Sequence, residues 1–245
     1  MKKCVICGKE YNWQEWGKHI YKKNNICYAC HSNVKNKDKI CKCGKVITNY
    51  KDHPDKQIMK NILFPLLYSK AFRYREDPPF TLAYGKTSPY YFNCKAVTLD
   101  PEGCFLTGKL MFNEIKEFNI DAIGGLTLGA DPISLSTSLE AYQNDIRITP
   151  LIVRKEGKGH GNKSWVEGNL EAAHRVVVVD DVITTGRSTI FAIDRLWNAG
   201  LEVTCVVALI DREEGGRENI EARGVGVIPL FNKTDFDTKR RQEND

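Results

Sequence analysis

The chain has 245 residues, of which 42% are hydrophobic, 10% aromatic and 27% charged, and this composition excludes a long disordered or fibrous chain. Its longest apolar runs are only as long as a strand, and its N-terminus lacks the apolar stretch of a secretory signal, so we expect a cytoplasmic protein with no membrane partner. The net charge of +5 is uneven, because residues 1–60 hold 14 Lys or Arg against 5 Asp or Glu, giving +9, and the other 185 hold 22 against 26, giving −4.

The first 54 residues carry a metal-ligand pattern. Six of the nine cysteines lie within the first 43 residues. Four of them form two Cys-x₂-Cys pairs with a 19-residue gap: Cys4, Cys7, Cys27 and Cys30. Four thiolates from two tight turns can bind Zn²⁺ tetrahedrally, and this spacing is typical of a zinc ribbon. Because the stretch has too little apolar surface to fold alone, we predict a zinc-ribbon-like module over residues 1–54 with a structural Zn²⁺, and a second domain over residues 55–245.

Two questions about this module stay open. Cys41 and Cys43 could complete a second site with a histidine or replace one of the other pairs, and an iron–sulfur cluster is an alternative to zinc. Tryptophans and tyrosines also interleave with the lysines of the module, a pattern that could bind nucleic acid through phosphate contacts and stacking. The module could equally bind another protein or the acidic second domain.

Apolar spacing predicts the elements of the second domain in chain order. Residues 55–76 have helical spacing interrupted by Pro65, which indicates one bent helix or two short ones. Strand-like runs over residues 80–97 indicate a hairpin-like pair. Beyond residue 100, helical patterns alternate with buried-strand patterns. The helices are expected at 101–118, 131–142, 189–200 and near Glu218, and the strands at 120–126, 146–155, 175–180, 202–211 and 224–230. This alternation predicts a mostly parallel sheet with helices on both faces.

The stretch RVVVVDDVITTGRST, residues 175–189, carries the most specific chemistry. A buried strand ends in Asp180 and Asp181, and a turn rich in hydroxyl groups then begins a helix. The backbone amides and hydroxyls of residues 184–188, together with the positive helix N-terminus, can cradle a phosphate monoester. The two carboxylates are unsuited to a phosphate, so they would serve ribose hydroxyls, a magnesium ion or the positive charge that develops on a ribose ring.

A basic, glycine-rich loop lies between two predicted strands and reads RKEGKGHG over residues 154–161. It places three fixed cations and one titratable group within seven residues: Arg154, Lys155, Lys158 and His160. Such charges, arriving when a loop closes, would stabilise a departing diphosphate and exclude water. Trp165 follows this loop, and we expect it to pack at the loop rather than to stack on a base.

These motifs together resemble a known family. Residues 175–189 are similar to the 5-phosphoribosyl 1-diphosphate (PRPP) signature of the type I phosphoribosyltransferases. Other stretches resemble parts of the orotate phosphoribosyltransferases: the mobile lid at 154–161, the substrate hairpin SPYYFN at 88–93, the turn that receives pyrophosphate at 124–133, and DREEGGREN at 211–219, which contains the orotate-binding arginine as Arg212. The resemblance covers the chain from about residue 58 to residue 245.

The resemblance implies a type I phosphoribosyltransferase fold over residues 55–245, in which residues 55–97 form a hood. It implies that the protein transfers ribose 5-phosphate from PRPP to orotate, which gives orotidine 5′-monophosphate and diphosphate in pyrimidine (UMP) biosynthesis, with Mg²⁺ as a cofactor. It also implies a homodimer whose lid enters the neighbouring subunit's site. The rival hypotheses are a nucleic-acid-binding regulator that senses PRPP or a nucleotide, and an enzyme for another base.

The resemblance also assigns roles to individual residues. The expected catalytic residues are Lys155, Lys158, His160, Asp180 and Asp181. The expected PRPP-binding residues are Arg154, Lys155, Lys158, His160, Asp180, Asp181, Val182, Ile183, Thr184, Thr185, Gly186, Arg187 and Ser188. The expected orotate-binding residues are Tyr91, Phe92, Thr184 and Arg212. Two positions depart from the family pattern: Tyr84 replaces a usual Ser, and Ala83 stands where some members carry a substrate-contacting Lys, for which Lys86 could compensate.

Overall fold

The chain divides into two compact units, residues 1–65 and residues 66–245. The computed structural model describes residues 2–3, 10–11, 56–81, 87–157 and 165–244. In the first unit, β1 (Lys2–Lys3) pairs antiparallel with β2 (Glu10–Tyr11). The expected zinc ligands lie outside the described residues, as do the candidates for a second site: Cys4, Cys7, Cys27, Cys30, Cys41 and Cys43. The module boundary at residue 54 stays a prediction.

Helix α1 spans Lys56–Leu66 and contains Pro65 near its end. It passes directly into one π-helical turn, Leu67–Ala71, and Phe72 then begins a strand. The expected helix over residues 55–76 is therefore one continuous but shorter helical stretch. Proline has no N–H to donate to the preceding turn, and the backbone widens into the π turn immediately after it.

Short strands and one short helix form the hood. They are β3 (Phe72–Tyr74), β4 (Phe80–Thr81), β5 (Thr87–Ser88), β6 (Tyr90–Phe92) and α2 (Lys95–Thr98). β4 pairs with β5, and β3 pairs with β6, both antiparallel. The expected hairpin-like pair over residues 80–97 is present as β4 and β5. Pro89 cannot donate a ladder hydrogen bond and divides β5 from β6, and β6 pairs instead with β3, which lies outside that range.

A six-stranded sheet forms the centre of the second unit. Its strands are β7 (Ala122–Leu126), β8 (Thr149–Val153), β9 (Val166–Glu167), β10 (Arg175–Ile183), β11 (Glu202–Asp211) and β12 (Val227–Asn232). The spatial order is β12–β11–β10–β7–β8–β9, and only the edge strand β9 runs antiparallel to its neighbour. The mostly parallel sheet of a type I phosphoribosyltransferase fold is confirmed.

Helices cover the sheet. They are α3 (Pro101–Ile115), α4 (Asp131–Gln143), α5 (Arg187–Asn198), α6 (Gly216–Glu221) and α7 (Lys233–Asn244). Val176 and Val178 of β10 share one buried cluster with Ile193 of α5. Val177 and Val179 are buried as well, and strand alternation places them on the opposite face. The central strands are apolar on both faces because helices pack on both.

Within the described ranges, no helix combines the length and apolar composition needed to cross a membrane.

The C-terminal helix α7 is absent from the sequence-based prediction. Its only large apolar residue is Phe236, so it has no apolar stripe that would indicate a helix. The Phe236 side chain is fully buried, and its ring centroid lies 5.4 Å from that of Phe72 and 5.1 Å from that of Phe92. One buried aromatic ring therefore packs α7 against the hood strands, and tertiary packing outweighs the weak local pattern.

Candidate active site

The phosphate loop joins the carboxyl end of β10 to α5. Its tight turn depends on Gly186, which has a φ of +77° and precedes the first residue of α5. A Cβ at this position would lie 2.7 Å from the Gly216 carbonyl oxygen, so the close approach of α6 also requires glycine. No described side chain caps the N-terminus of α5. The backbone amides of this 12-residue helix can therefore bind an anion beside the hydroxyls of Thr184, Thr185 and Ser188.

Asp180 lies buried near the carboxyl end of β10, three residues before its last residue, Ile183. Its Oδ2 accepts hydrogen bonds from Thr189 Oγ1 at 2.6 Å and from Ser188 Oγ at 3.3 Å. Burial, and secondly the charge of Asp181, raise the pKa of Asp180 to about 7. The fold thus keeps two carboxylates side by side near the end of β10, which costs electrostatic free energy when both are ionised. A positively charged ligand would lower that cost.

Asp181 lies close to two segments that are distant from it in the sequence. A Cβ at Gly129, in the turn after β7, would lie 2.4 Å from Asp181 Oδ1, so a larger residue in this turn would displace the Asp181 carboxylate. On the hood side, the Lys95 ammonium lies 3.7 Å from Asp181 Oδ2. The expected pyrophosphate turn at residues 124–133 and the hood therefore converge on the carboxylate expected at the ribose.

Arg212 joins the hood to the phosphate loop. It is 4% exposed, and its Nη2 donates to Ser88 Oγ at 3.0 Å and to the Tyr90 carbonyl oxygen at 3.3 Å. Its backbone N–H donates to the Ile183 carbonyl oxygen at 2.9 Å. The substrate hairpin and the turn with the expected orotate arginine are thus adjacent, at the same end of the sheet as Asp180.

The remaining expected orotate residues differ in exposure. Tyr91 is 39% exposed, and its ring stacks on Phe80 with centroids 5.3 Å apart. The Phe92 ring is buried among Phe72, Phe236 and, at 5.8 Å, the guanidinium of Arg212. The buried Phe92 ring therefore packs beside the Arg212 guanidinium, whereas the Tyr91 ring is partly exposed to solvent.

The phosphate-loop residues also divide by burial. Ile183 is fully buried in the core, so only its backbone can reach a ligand, whereas Val182, Thr184 and Thr185 are half-buried. Arg187 and Ser188 are exposed at the start of α5.

The lid is described at its two ends. Lys155 is exposed, and Arg154 forms an ion pair of 3.1 Å with Glu167. Trp165 packs as expected, because the Arg195 guanidinium lies 3.7 Å from its ring centroid and Phe191 meets it edge-on at 5.7 Å. The other lid residues of the expected site, Lys158 and His160, lie outside the described residues, as do the departures at Ala83, Tyr84 and Lys86.

The sheet, the acidic end of β10 and the hydroxyl-rich turn before α5 together define a phosphoribosyltransferase. In agreement, the family model of the phosphoribosyl transferase domain matches residues 104–230. The orotate phosphoribosyltransferase of Aquifex aeolicus is 48% identical over 166 residues, covering 68% of this chain and 91% of that protein. That of Leptospira biflexa is 42% identical over 180 residues, covering 72% of this chain and 97% of that protein. The chain belongs to the orotate phosphoribosyltransferase family.

A solved structure supports the same relationship. The orotate phosphoribosyltransferase of Mycobacterium tuberculosis H37Rv in complex with PRPP superimposes with a TM-score of 0.60 at 28% identity, covering 73% of this chain and 99% of that chain. This chain covers more than nine-tenths of each of these three relatives, and all three are orotate phosphoribosyltransferases, which favours the enzyme over a regulator with the same fold.

Sequence reasoning missed Lys95 altogether, and for Gly129 and Glu214, which lie inside motifs it had identified, it missed the side chains that they meet. Lys95 and Gly129 reach Asp181 from distant segments, and only the folded chain brings them together. Glu214 lies two residues after Arg212, and its Oε1 accepts hydrogen bonds from that guanidinium. The only signal for Glu214 was its place in the DREEGG turn.

Proposed function

We propose that this chain transfers the ribose 5-phosphate group of PRPP to orotate, which releases diphosphate and forms orotidine 5′-monophosphate in pyrimidine biosynthesis. The observation that carries the proposal is the contact between Arg212 and Ile183, because it joins the expected orotate turn to the PRPP loop. Both substrates would then bind at the carboxyl end of one sheet. The orotate phosphoribosyltransferases among the relatives support this choice of base.

The 5-phosphate is assigned to residues 184–188. The N-terminus of α5 supplies backbone N–H donors and a partial positive charge, and the threonine and serine hydroxyls supply further donors. Binding the phosphate here would place the ribose beside the end of β10. The role of this loop is therefore to position the sugar for reaction.

Asp180 and Asp181 are assigned to the ribose. Displacement at ribose C1 passes through a transition state with positive charge on the ring, and nearby carboxylates stabilise that charge. Asp181 Oδ1 and Oδ2 lie between the expected pyrophosphate turn and the hood, where the bond between ribose and diphosphate would break. Transition-state electrostatics suffice for this step, and no covalent nucleophile is needed.

The donor set fits a magnesium ion bound together with PRPP. Mg²⁺ prefers oxygen ligands and binds through one or two carboxylates plus substrate oxygens, as the Asp180–Asp181 pair would allow. Burial, and secondly the charge of Asp181, raise the pKa of Asp180, and a divalent cation bound beside the pair would favour the ionised carboxylates. When bound, Mg²⁺ would neutralise charge on the diphosphate.

The proposed assembly is a homodimer in which the lid of one subunit enters the site of the other. A row of exposed apolar side chains on α4 and just after it supports a second copy as the partner: Leu135, Leu139, Tyr142 and Ile146. The first three are spaced by four and three residues and so share one helix face. Tyr142 is 65% exposed, and a row of large apolar side chains in water is typical of an interface.

The basic N-terminal module is proposed to bind one structural Zn²⁺ through Cys4, Cys7, Cys27 and Cys30. Its charge and aromatic residues suit nucleic acid, and another protein or the acidic second domain are the alternative partners. A steep fall of nucleic-acid affinity with salt would identify phosphate contacts, and salt-independent or absent binding would favour a protein partner. Location in the cytoplasm stays a prediction.

Replacing Cys4 and Cys7 with Ser should remove the zinc and unfold the module while the second domain stays folded, because metal binding supplies the folding energy of small zinc modules. We expect at least one zinc per unmodified chain by elemental analysis, and PRPP-dependent activity in both proteins. The matched control is Cys205→Ser in the second domain, which should keep its zinc. Fully reduced, unmodified protein that contains no metal would contradict the proposal.

The test of the proposed base uses the full chain with PRPP and Mg²⁺. Diphosphate release should depend on orotate and be far slower with uracil, which lacks the carboxylate that Arg212 would bind. A faster rate with uracil or with a purine base would assign the enzyme to another base.

A further inference from the structure

The guanidinium of Arg212 is held by contacts from three directions. Nη2 donates to the hood at Ser88 and Tyr90, and the Phe92 ring lies under the guanidinium at 5.8 Å. On its third side, Nε and Nη2 both donate to Glu214 Oε1, at 3.1 and 2.7 Å. No described residue accepts a hydrogen bond from Nη1. The Nε–Nη2 edge is therefore occupied, and Nη1 is the donor left for a ligand.

The turn that contains Glu214 is itself fixed. Glu213 has a φ of +54°, its N–H donates to Asp211 Oδ1 at 2.8 Å, and its carboxylate accepts from the N–H and hydroxyl of Thr234 at 2.9 and 2.6 Å. The Glu213 carboxylate is thus bound at the start of α7, and it is Glu214 that contacts the Arg212 guanidinium. Of the two consecutive glutamates, one fixes the turn and the other contacts Arg212.

We propose that Glu214 is a positioning residue for the acceptor substrate, holding Arg212 so that Nη1 binds the substrate carboxylate. This inference rests on the proposed role of Arg212 in orotate binding. A buried guanidinium without a counter-charge is costly and could rotate toward other acceptors, and a charge-assisted hydrogen bond to Glu214 prevents both. The substrate carboxylate then binds to an arginine that is already oriented, and it does so through the end that Glu214 leaves open.

Two variants of Glu214 distinguish its role as a hydrogen-bond acceptor that orients Arg212 from the effect of its negative charge. Glu214→Ala removes the acceptor, and the KM for orotate should rise about tenfold with kcat and the KM for PRPP nearly unchanged. Glu214→Gln keeps an acceptor oxygen without the charge, so its KM for orotate should stay within about threefold of the unmodified value. Glu221→Ala, an exposed glutamate on α6 paired with Arg217, is the matched control and should change none of these constants.

Three results would overturn the proposal. A lower KM for orotate in both Glu214 variants would mean that Glu214 competes with the substrate for Arg212. Equal losses in orotate KM, PRPP KM and kcat would mean a general structural role. An unchanged orotate KM in Glu214→Ala, when Arg212→Ala raises it, would mean that Arg212 needs no positioning. If Arg212→Ala itself leaves the orotate KM unchanged, the orotate role of Arg212 fails instead, and the two failures are thereby distinguished.

Discussion

Lys155→Ala should lower kcat about 10²-fold and raise the KM for PRPP much less. The reason is that a lid cation interacts with negative charge that grows on the departing diphosphate, so its contribution is largest in the transition state. Lys155 is exposed at the lid's first end, next to Arg154, whose own charge is paired with Glu167. Steady-state kinetics with varied PRPP at saturating orotate measure both constants.

The matched control for this variant is Lys116→Ala, an exposed lysine that follows α3, and it should leave both constants unchanged. If Lys155→Ala instead raised the PRPP KM with kcat intact, the lysine would bind substrate and transition state equally, and its role in catalysis would be wrong.

Asp181→Asn should lower kcat/KM for PRPP about 10²-fold, through both kcat and KM, because it removes the charge that is expected to stabilise the ribose ring. A second readout comes from Asp180, whose pKa of about 7 is raised in part by the charge of Asp181. Removing that charge should lower the pKa of Asp180, and the acidic limb of the residual pH–rate profile should move to lower pH.

Asp194→Asn is the control for charge removal at a distance, since Asp194 lies on α5 and pairs with Arg223. It should leave the kinetics unchanged. An Asp181→Asn protein with full activity would remove the carboxylate from the proposed mechanism.

Mixing these two variants tests the lid in trans. In a dimer that contains one Lys155→Ala subunit and one Asp181→Asn subunit, a lid acting across the interface leaves one site with both residues intact. After equal mixing and re-equilibration, we expect about a quarter of the unmodified activity. A lid acting within its own chain would restore none, and Leu139→Glu on the exposed face of α4 should abolish the recovery by blocking assembly.

The central sheet was predictable because its strands are apolar on both faces, and β11 was predicted with the residues that it occupies, 202–211. Strand β10 was expected to end at Asp180 but continues to Ile183, since pairing with β11 extends past the acidic pair. Helix boundaries followed local signals less closely. Helix α3 ends at Ile115 rather than near residue 118, and α7 forms around a single buried ring.

The candidate site was predictable where its residues are consecutive. The phosphate loop is a single continuous motif, so its phosphate-binding groups could be identified from the sequence without knowledge of the fold. The contacts of Lys95 and Gly129 with Asp181, by contrast, cross more than 50 residues of sequence, and no local spacing encodes them. The same holds for Phe92, whose aromatic ring was expected at the substrate but packs on Phe72 and Phe236, so a role for Phe92 in orotate binding stays a prediction.

The most direct measurement is the product formed by the unmodified full chain from PRPP, orotate and Mg²⁺. The proposed reaction breaks the bond between ribose C1 and diphosphate, forms a bond from C1 to the orotate ring nitrogen, and releases the proton of that nitrogen. Mass spectrometry and phosphorus NMR should therefore find orotidine 5′-monophosphate and diphosphate in equal amounts, each equal to the orotate consumed. PRPP that binds normally yet yields no orotidine 5′-monophosphate would contradict the proposed function.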